Sequence, residues 1–311
     1  CSSDLHPQKA KFHHLPSGTS RNEMADLILG PGAVLDVDKL LGEIATHNVT
    51  SSRLAIDPQA MVISPADKTS EKLLVRKIGS TGQGVGAARA RKIMGRQPNK
   101  TKLAGNVPVL KPYIKDTREI LEDAYCAGKK VFLEGTQGTG LSLHHGFYPY
   151  VTSGDTTASG CLSEAGIPPH RVRRIFMVCR TIPIRVENPP GGTSGSMVKE
   201  ITDEKLSRKC GIPVEEIRRT ELTTTTGKPR RFALFDWHLL RRSVSLNGPT
   251  DIALTFTDYI DIRNRKARRF EQLTPETLRF IQEVEEVASV PVSLISTRFD
   301  YRSIIDRRTW R

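Results

Sequence analysis

Apolar positions in this chain fall into helix-spaced stripes separated by short continuous runs. Across positions 36–48, Val37, Leu40, Leu41 and Ile44 recur at the interval of one helix face, behind an Asp suited to capping. Residues 53–57, Arg-Leu-Ala-Ile-Asp, then read as a strand closed by Pro58. The alternation continues. Positions 113–127 are amphipathic through Ile114, Ile120, Leu121, Ala124 and Tyr125 and end at Gly128, and 131–133 form the next strand. Residues 175–184 and 252–256 are buried-strand candidates, 237–246 and 275–288 are helices, and 290–296 is a last strand. Helix alternating with strand predicts an α/β fold, a mostly parallel central sheet flanked by helices, with ligand loops at strand C-termini. Two stretches break the rhythm. Residues 78–106 open with Gly79-Ser-Thr-Gly-Gln-Gly-Val-Gly86 and continue through Arg89, Arg91, Lys92 and Arg96, predicting a mobile loop before a basic helix. Residues 189–195, Pro-Pro-Gly-Gly-Thr-Ser-Gly, form a loop that excludes regular structure.

Composition narrows the class. At 311 residues, 37% hydrophobic and 26% charged, the chain suits one large globular domain spanning 1–311. No apolar run approaches membrane-spanning length, so no membrane partner is expected and the predicted location is cytoplasmic. A net charge of +13 favours anionic partners, but the basic residues are dispersed and aromatics make up only 6%, too few for a stacking platform, so nucleic acid is not the expected partner. Five cysteines at wide spacings, without a Cys-x-x-Cys pair, point to a reducing compartment and to no metal site, with Cys126 and Cys179 expected as buried, inert thiols. The opening Cys1-Ser-Ser-Asp-Leu5 lacks an initiator Met and a signal-peptide pattern, and a truncated reading frame is the expectation.

The chemistry-bearing residues cluster in four places. After the 131–133 run comes Glu134-Gly-Thr-Gln-Gly138, where Gln137 offers both an acceptor and a donor to a heterocyclic amide edge; a turn whose Gln caps the next helix is the alternative. Thr152-Ser-Gly-Asp-Thr-Thr157 adds hydroxyls and helix-opening N–H groups, a second corner suited to an oxyanion. In the glycine loop, Thr81 and a cation such as Arg91 or Arg96 suit a phosphate; a flexible surface loop is an equal reading, because the Gly-Lys-Ser/Thr ending of a P-loop is absent. Residues 221–231, Glu-Leu-Thr-Thr-Thr-Thr-Gly-Lys-Pro-Arg-Arg, join four hydroxyls to three cations and suit a carboxylate plus a phosphate ester, or a β edge with a basic turn. Asp258, past the 252–256 strand, is able to accept two hydrogen bonds from a guanine edge or to cap a helix. His144 and His145 are adjacent without an acidic partner at ligand spacing, which favours a structural role over zinc.

Taken together, these pieces resemble the adenylosuccinate synthetase family in its compact form. The likeness runs collinearly through His13-His-Leu-Pro-Ser-Gly18, Gly30-Pro-Gly-Ala-Val34, Gly79–Gly86, Glu134–Gly138, His145-Gly-Phe-Tyr-Pro-Tyr-Val-Thr152, Arg185-Val186, Thr225-Thr-Gly227 through Arg231, and Ile295-Ser-Thr297. It implies a P-loop-NTPase-like α/β fold and a GTP-dependent ligase of purine biosynthesis, which joins aspartate to IMP through a 6-phosphoryl intermediate. Alternatives within the likeness are a paralogue acting on (d)GMP to form 2-aminoadenylosuccinate, or a non-catalytic nucleotide-binding protein.

The resemblance also implies residue roles. Gln137 would read the purine six-membered edge as the one catalytic-site residue identified. Thr81 and Thr152 would hold the 5′-phosphate, with Leu141 and Val186 against base or ribose and Arg91 or Arg96 completing the pocket from a neighbouring subunit of a homodimer. Thr225, Thr226, Lys228 and Arg230 would bind L-aspartate, and Arg230, Asp258 and Ser296 would bind GTP. The family's Gly-Asp-Glu-Gly-Lys-Gly-Lys loop and Gly-His-Thr element have no counterpart in this sequence, so the Mg²⁺ ligands, the general base and the catalytic His are expected elsewhere, and the fragment as given is expected to be inactive. Lys228, Pro229 and Arg298 replace residues that are usually Arg, Arg and Gly, and Arg298 puts a bulky cation beside the expected guanine.

Overall fold

Short parallel strand pairs and capped helices build the N-terminal part of the chain. The computed structural model describes residues 12–20, 22–96, 102–223, 227–298 and 300–309. Two compact units result, one from residues up to Arg76 with Ser80–Arg171, the other from Lys77–Gly79 with Val172 onward.

In the first unit, β1 (Leu27–Leu29) pairs in parallel with β3 (Leu54–Ile56), and β2 (Val34–Leu35) with β4 (Met61–Val62). Between β2 and β3 runs α1 (Val37–Thr46), where Asp36 accepts from the Lys39 N–H as N-cap and Leu40 and Ile44 are buried. Strand-facing Leu35, Leu54 and Ile56 join Leu40, Met61 and Leu110 in a fully buried core, each contributing about 1.5–3 kcal/mol by leaving water. Then follow α2 (Pro65–Ser70), α3 (Lys72–Ile78), α4 (Val85–Met94), α5 (Thr117–Cys126) and α6 (Ala158–Ala165). A reciprocal Ser64–Asp67 capping box starts α2.

Three sequence expectations change here. The amphipathic stretch 113–127 is not one helix: a 3-10 helix ends at Tyr113, and Asp116 caps a separate α5. Pro112 lies inside that 3-10 segment, and Asp116 accepts from the Arg118 and Glu119 N–H groups, so helix geometry restarts at the cap. Residues 131–133 form no strand. Val131, Phe132 and Leu133 are exposed, Phe132 at 88%, and without a ladder partner among the described residues an apolar run has nothing to make it a strand. Cys126 is likewise exposed rather than buried, with its thiol 3.7 Å from Glu122 Oε1.

The second unit carries the longer sheet. Its strands run in the order β11-β10-β9-β5, with β5 (Phe176–Arg180), β9 (Asp251–Thr255) and β10 (Val292–Ser296) parallel and β11 (Ile304–Asp306) antiparallel. The alternation thus does yield a parallel sheet, although the expected strand over 175–184 breaks after Arg180. Helices α9 (Trp237–Asn247) and α10 (Pro275–Ala288) cover it, packing Leu240, Ile281 and Val284 against Ile252, Leu254, Val292 and Ile295. A separate antiparallel sheet, β6-β8-β7, uses Ile184–Val186, Arg230–Ala233 and Glu200–Ile201. Its core joins Ile201 and Phe232 to Leu206 of α7 (Asp203–Cys210) and Ile217 of α8 (Val214–Thr220).

Candidate active site

In the first unit, two neighbouring polar motifs, Glu134–Gly138 with the residues that follow it and Thr152–Thr157, are laced together. Thr152 N–H donates to Leu141 O at 2.8 Å, Leu143 N–H to Gly154 O at 2.9 Å, and Thr156 Oγ1 to Gly138 O at 2.7 Å. Ser142 Oγ donates to Asp155 at 2.8 Å and accepts from the His144 and His145 N–H groups. Gly146 is demanded by this lacing, since a Cβ there would lie 2.5 Å from Ser142 O and 2.6 Å from Gly140 O. Gln137, Leu141 and Thr152 are thereby brought into one structure. Gln137 is exposed and held at φ 79°, the left-handed region a side-chain-bearing residue adopts at a cost of about 1–3 kcal/mol. Glu134 anchors the loop's start by accepting from the Ser17 N–H and hydroxyl, both at 2.9 Å.

The oxyanion corner near Asp155 is partly spent. Thr157 donates both its N–H and its hydroxyl to the Asp155 carboxylate, and as N-cap of α6 its Oγ1 accepts from Gly160 N–H. Burial works to raise the Asp155 pKa, but the Ser142 and Thr157 hydrogen bonds outweigh it and hold the group below the ordinary carboxylate value.

The glycine loop differs more sharply from a phosphate cradle. Its amides already hold an anion from the chain itself: Gly84 and Gly86 donate to the Glu71 carboxylate at 2.7 Å and Ala87 at 3.1 Å. Glu71 is buried, so the N-terminus of α4 is closed by an internal carboxylate. Thr81 is exposed at the loop's edge. Arg91 is committed as a fork to Asp67, at 3.0 and 2.7 Å, and to Val62 O at 2.8 Å, whereas Arg96 is exposed beyond the end of α4. Glu71 and Asp67 carried no functional signal beyond the Ser-x-x-Asp spacing of the cap.

In the second unit, the threonine-rich motif is a hairpin. Leu222 bridges Pro229, Thr223 N–H donates to Lys228 O at 2.8 Å, and Arg230 N–H donates to Glu221 O at 3.1 Å. Thr225 and Thr226 lie outside the described residues; Lys228 is exposed. At the hairpin base, buried Glu221 pairs with Arg180 at 2.5 Å and Arg230 at 3.1 Å. Arg231, by contrast, is spent on Glu200, Asn188, Ser194 and Gly195. With Arg185, which donates to Ser194 O at 2.7 Å, it pins the 189–195 loop. Val186 sits on β6 beside Gly79, where an added Cβ would lie 3.4 Å from the valine methyl.

Parallel pairing of β9 and β10 brings Asp258 and Ser296 to one sheet end, where Thr257 Oγ1 donates to Ser296 O at 3.1 Å. Asp258 is only 2% exposed; Arg265 donates to its Oδ2 at 2.9 Å, while Oδ1 is buried without a partner. Burial holds its pKa above the usual carboxylate value despite Arg265. Ser296 Oγ donates to Arg298 O, and Arg298 folds back onto Ser303 and Asp300, so its cation packs on its own turn. Among the described residues no group of three His, Cys, Asp or Glu side chains is placed to hold a metal ion, and no helix is long and apolar enough to cross a membrane.

Known proteins resemble this chain along nearly its whole length. The adenylosuccinate synthetase family model matches residues 5–104 and 94–265. Adenylosuccinate synthetase of Archaeoglobus fulgidus is 37% identical over 309 residues, covering 98% of this chain and 86% of that protein. The Thermococcus onnurineus enzyme is 35% identical over 310 residues, with the same coverage. Among solved structures, cyanophage S-2L succinoaminodeoxyadenylate synthetase (PurZ), bound to dGMP and to dATP as an energy donor, superposes with TM-score 0.76 at 26% identity, over 98% of this chain and 83% of that one. Fully ligated adenylosuccinate synthetase from Plasmodium falciparum shares the fold, with TM-score 0.81 at 18% identity, over 99% and 92% of the two chains.

Proposed function

Because the chain belongs to the adenylosuccinate synthetase family, we propose that its first unit holds the purine nucleotide and that Gln137 reads the base. The activity is that of the family: GTP-dependent ligation of aspartate to IMP in purine biosynthesis. The reaction is mostly positioning and charge stabilisation, so the residues matter through the atoms they hold in place.

The observation that carries this reading is the strained, exposed Gln137 on a loop laced to the Thr152 motif. Its amide presents an acceptor and a donor to the purine six-membered edge, with Leu141 and Thr152 on the strand of contacts beside it. The left-handed backbone there sets the direction in which the side chain leaves the loop. For the 5′-phosphate, Thr152 and Thr81 supply hydroxyls and Arg96 supplies the cation, from a second copy in a homodimer. Arg91 is not used in this role because Asp67 already takes its fork. The aspartate and GTP phosphates fall to Thr225, Thr226, Lys228 and Arg230. The buried, partnerless Asp258 Oδ1 supports a donor base bearing N–H groups, as guanine does. The described residues offer no carboxylate cluster for Mg²⁺, and no step is assigned to it on them.

Calorimetric titration with IMP and with dGMP tests the reading, followed by phosphate release with IMP, GTP and aspartate, and with each omitted, on the chain joined to a segment that carries the family's Gly-Asp-Glu-Gly-Lys-Gly-Lys loop. IMP binding that Gln137→Ala weakens about 10-fold or more, the loss of a bidentate contact of about 1–3 kcal/mol, is the expected result. Tighter binding of dGMP than of IMP would move the substrate to the guanine-nucleotide paralogue, whose representative is bound to dGMP. Phosphate release indifferent to aspartate would defeat the assignment.

A further inference from the structure

Arg230, the cation proposed for aspartate and for the GTP phosphates, opens β8 just past the Leu222–Pro229 bridge. A guanidinium there reaches its ligand productively only if something fixes its direction. We propose that Glu221 is a positioning residue for this site, aiming Arg230 and closing the base of the threonine loop from a buried carboxylate; this rests on the functional reading above.

Glu221 touches both strands of the hairpin stem at once. Its backbone carbonyl accepts from Arg230 N–H at 3.1 Å, while its Oε2 lies 3.1 Å from Arg230 Nη1. Backbone register and side-chain direction of Arg230 are thus set by one residue. The carboxylate is itself held from behind. Arg180 Nη2 donates to Oε1 at 2.5 Å, Arg180 Nε donates to Ile182 O at 3.2 Å, and the guanidinium stacks 3.7 Å from the centroid of the Phe256 ring. The buried Tyr259 ring lies beside the same guanidinium, its centroid 5.9 Å from Arg180.

Two guanidiniums share one carboxylate, leaving one unit of positive charge uncompensated. Arg180 is locked by its ring, its carbonyl and Glu221, so the unbalanced charge resides on Arg230. Among the described residues, Arg230 Nε and Nη2 have no protein partner. Burial acts to raise the Glu221 pKa, but Arg180 and Arg230 hold it below the ordinary carboxylate range, so the clamp is charged at neutral pH. An Asp or Gln would not substitute. Asp is one methylene short of spanning Arg180 and Arg230, and Gln would turn an N–H donor toward one of the two cations.

The test is ligand binding by the full chain, with GTP and IMP titrated separately by calorimetry and thermal melts recorded on every variant. In Glu221→Gln, the Kd for GTP is expected to rise by about 10–100-fold, as when a supporting contact behind a ligand-binding group is removed, while the Kd for IMP changes less than about 2-fold. Glu221→Asp should give a smaller rise in the same direction, and it carries the test should the Gln variant fail to fold. A lowered melting temperature with an unchanged GTP Kd would make Glu221 merely structural and overturn the proposal. Equal weakening for GTP and IMP would do so as well. Failure of the parent chain to bind either nucleotide would instead overturn the functional reading itself, an outcome separate from any effect of Glu221.

Discussion

Replacing Glu71 tests the central structural claim about the glycine loop, that its amides are held by the chain's own carboxylate rather than waiting for a phosphate. Three N–H groups converge on that carboxylate, two at 2.7 Å and one at 3.1 Å. Gly84 is buried, so in Glu71→Ala its N–H loses its partner with no water to replace it, at about 1–3 kcal/mol; the partly exposed Gly86 and Ala87 regain water and lose about 0.5–1.5 kcal/mol each. The sum is about 2–6 kcal/mol, a fall in Tm of about 4–24 °C at 2–4 °C per kcal/mol. Glu71→Gln should cost less. Its amide oxygen can still serve the Gly86 and Ala87 donors that share Oε1, but its NH₂ then faces the Gly84 N–H. Thermal and urea unfolding measure the stability, and calorimetry with IMP measures the consequence for ligand. A Glu71→Ala chain as stable as the parent within about 0.5 kcal/mol would refute the reasoning. So would a gain in IMP affinity, because it would mean that Glu71 only stands in for a phosphate.

Three further outcomes follow from buried charge. His14 has its pKa lowered to about 4, chiefly by burial and against the pull of Glu43 and Asp36; the unfolded chain binds the proton first, so stability is full above pH ~6.5 and falls by about 3 kcal/mol as pH drops to about 4. Urea titrations across that window should flatten in His14→Gln. Arg91→Met leaves the buried Asp67 carboxylate without its fork and should destabilise by about 3 kcal/mol or more, measured by the same unfolding curves, with little change if the pair were ornamental. Asp67 is also held below the ordinary carboxylate value, where burial opposes but the Arg91 and Ser64 hydrogen bonds prevail, so its contribution persists above pH ~3.9 and disappears as pH falls through the lowered value. Finally, an alkylating reagent should modify exposed Cys126 rapidly and leave Cys179, whose thiol burial pushes up to about 12, nearly untouched at pH 8; equal rates at the two would contradict their placement.

What the sequence revealed about the fold was whatever a local signal decides. Helix α1 begins after Asp36, and α10 spans Pro275–Ala288 as the apolar spacing predicts, because caps and stripes are properties of adjacent residues. Strand identity is a property of pairs. The 131–133 run has the composition of a buried strand but no ladder, whereas residues 292–296, less obviously apolar, sit in a sheet between β9 and β11. Cys126 shows the same limit on a helix: its segment is periodic, yet its own position points outward. Motif spacing is a local signal too: Thr152 is tied to Leu141, and Leu141 to Gly138 next to Gln137, by backbone hydrogen bonds that short loops impose.

Residue type identified more candidate ligands than the fold leaves uncommitted. A cation or hydroxyl serves a ligand only with valence the protein has not already used, and sequence does not display that account. The +13 charge is the clearest case. Arg91 is spent on Asp67, Arg231 on Glu200 and the 189–195 loop, Arg298 on Asp300 and Ser303, and Arg265 on Glu216 and Asp258. The glycine-loop amides go to Glu71, and the Ser296 hydroxyl to Arg298 O. Among the described residues the uncommitted groups include the Gln137 amide, Nε and Nη2 of Arg230, Asp258 Oδ1 and the exposed Thr81, Arg96 and Lys228. Buried carboxylates decide that set by choosing which arginines they neutralise. Among the described residues Glu221 is held between two arginines, Arg180 and Arg230, which leaves one unit of positive charge on the cluster, and this makes a buried acid as informative about the site as the cations it sorts.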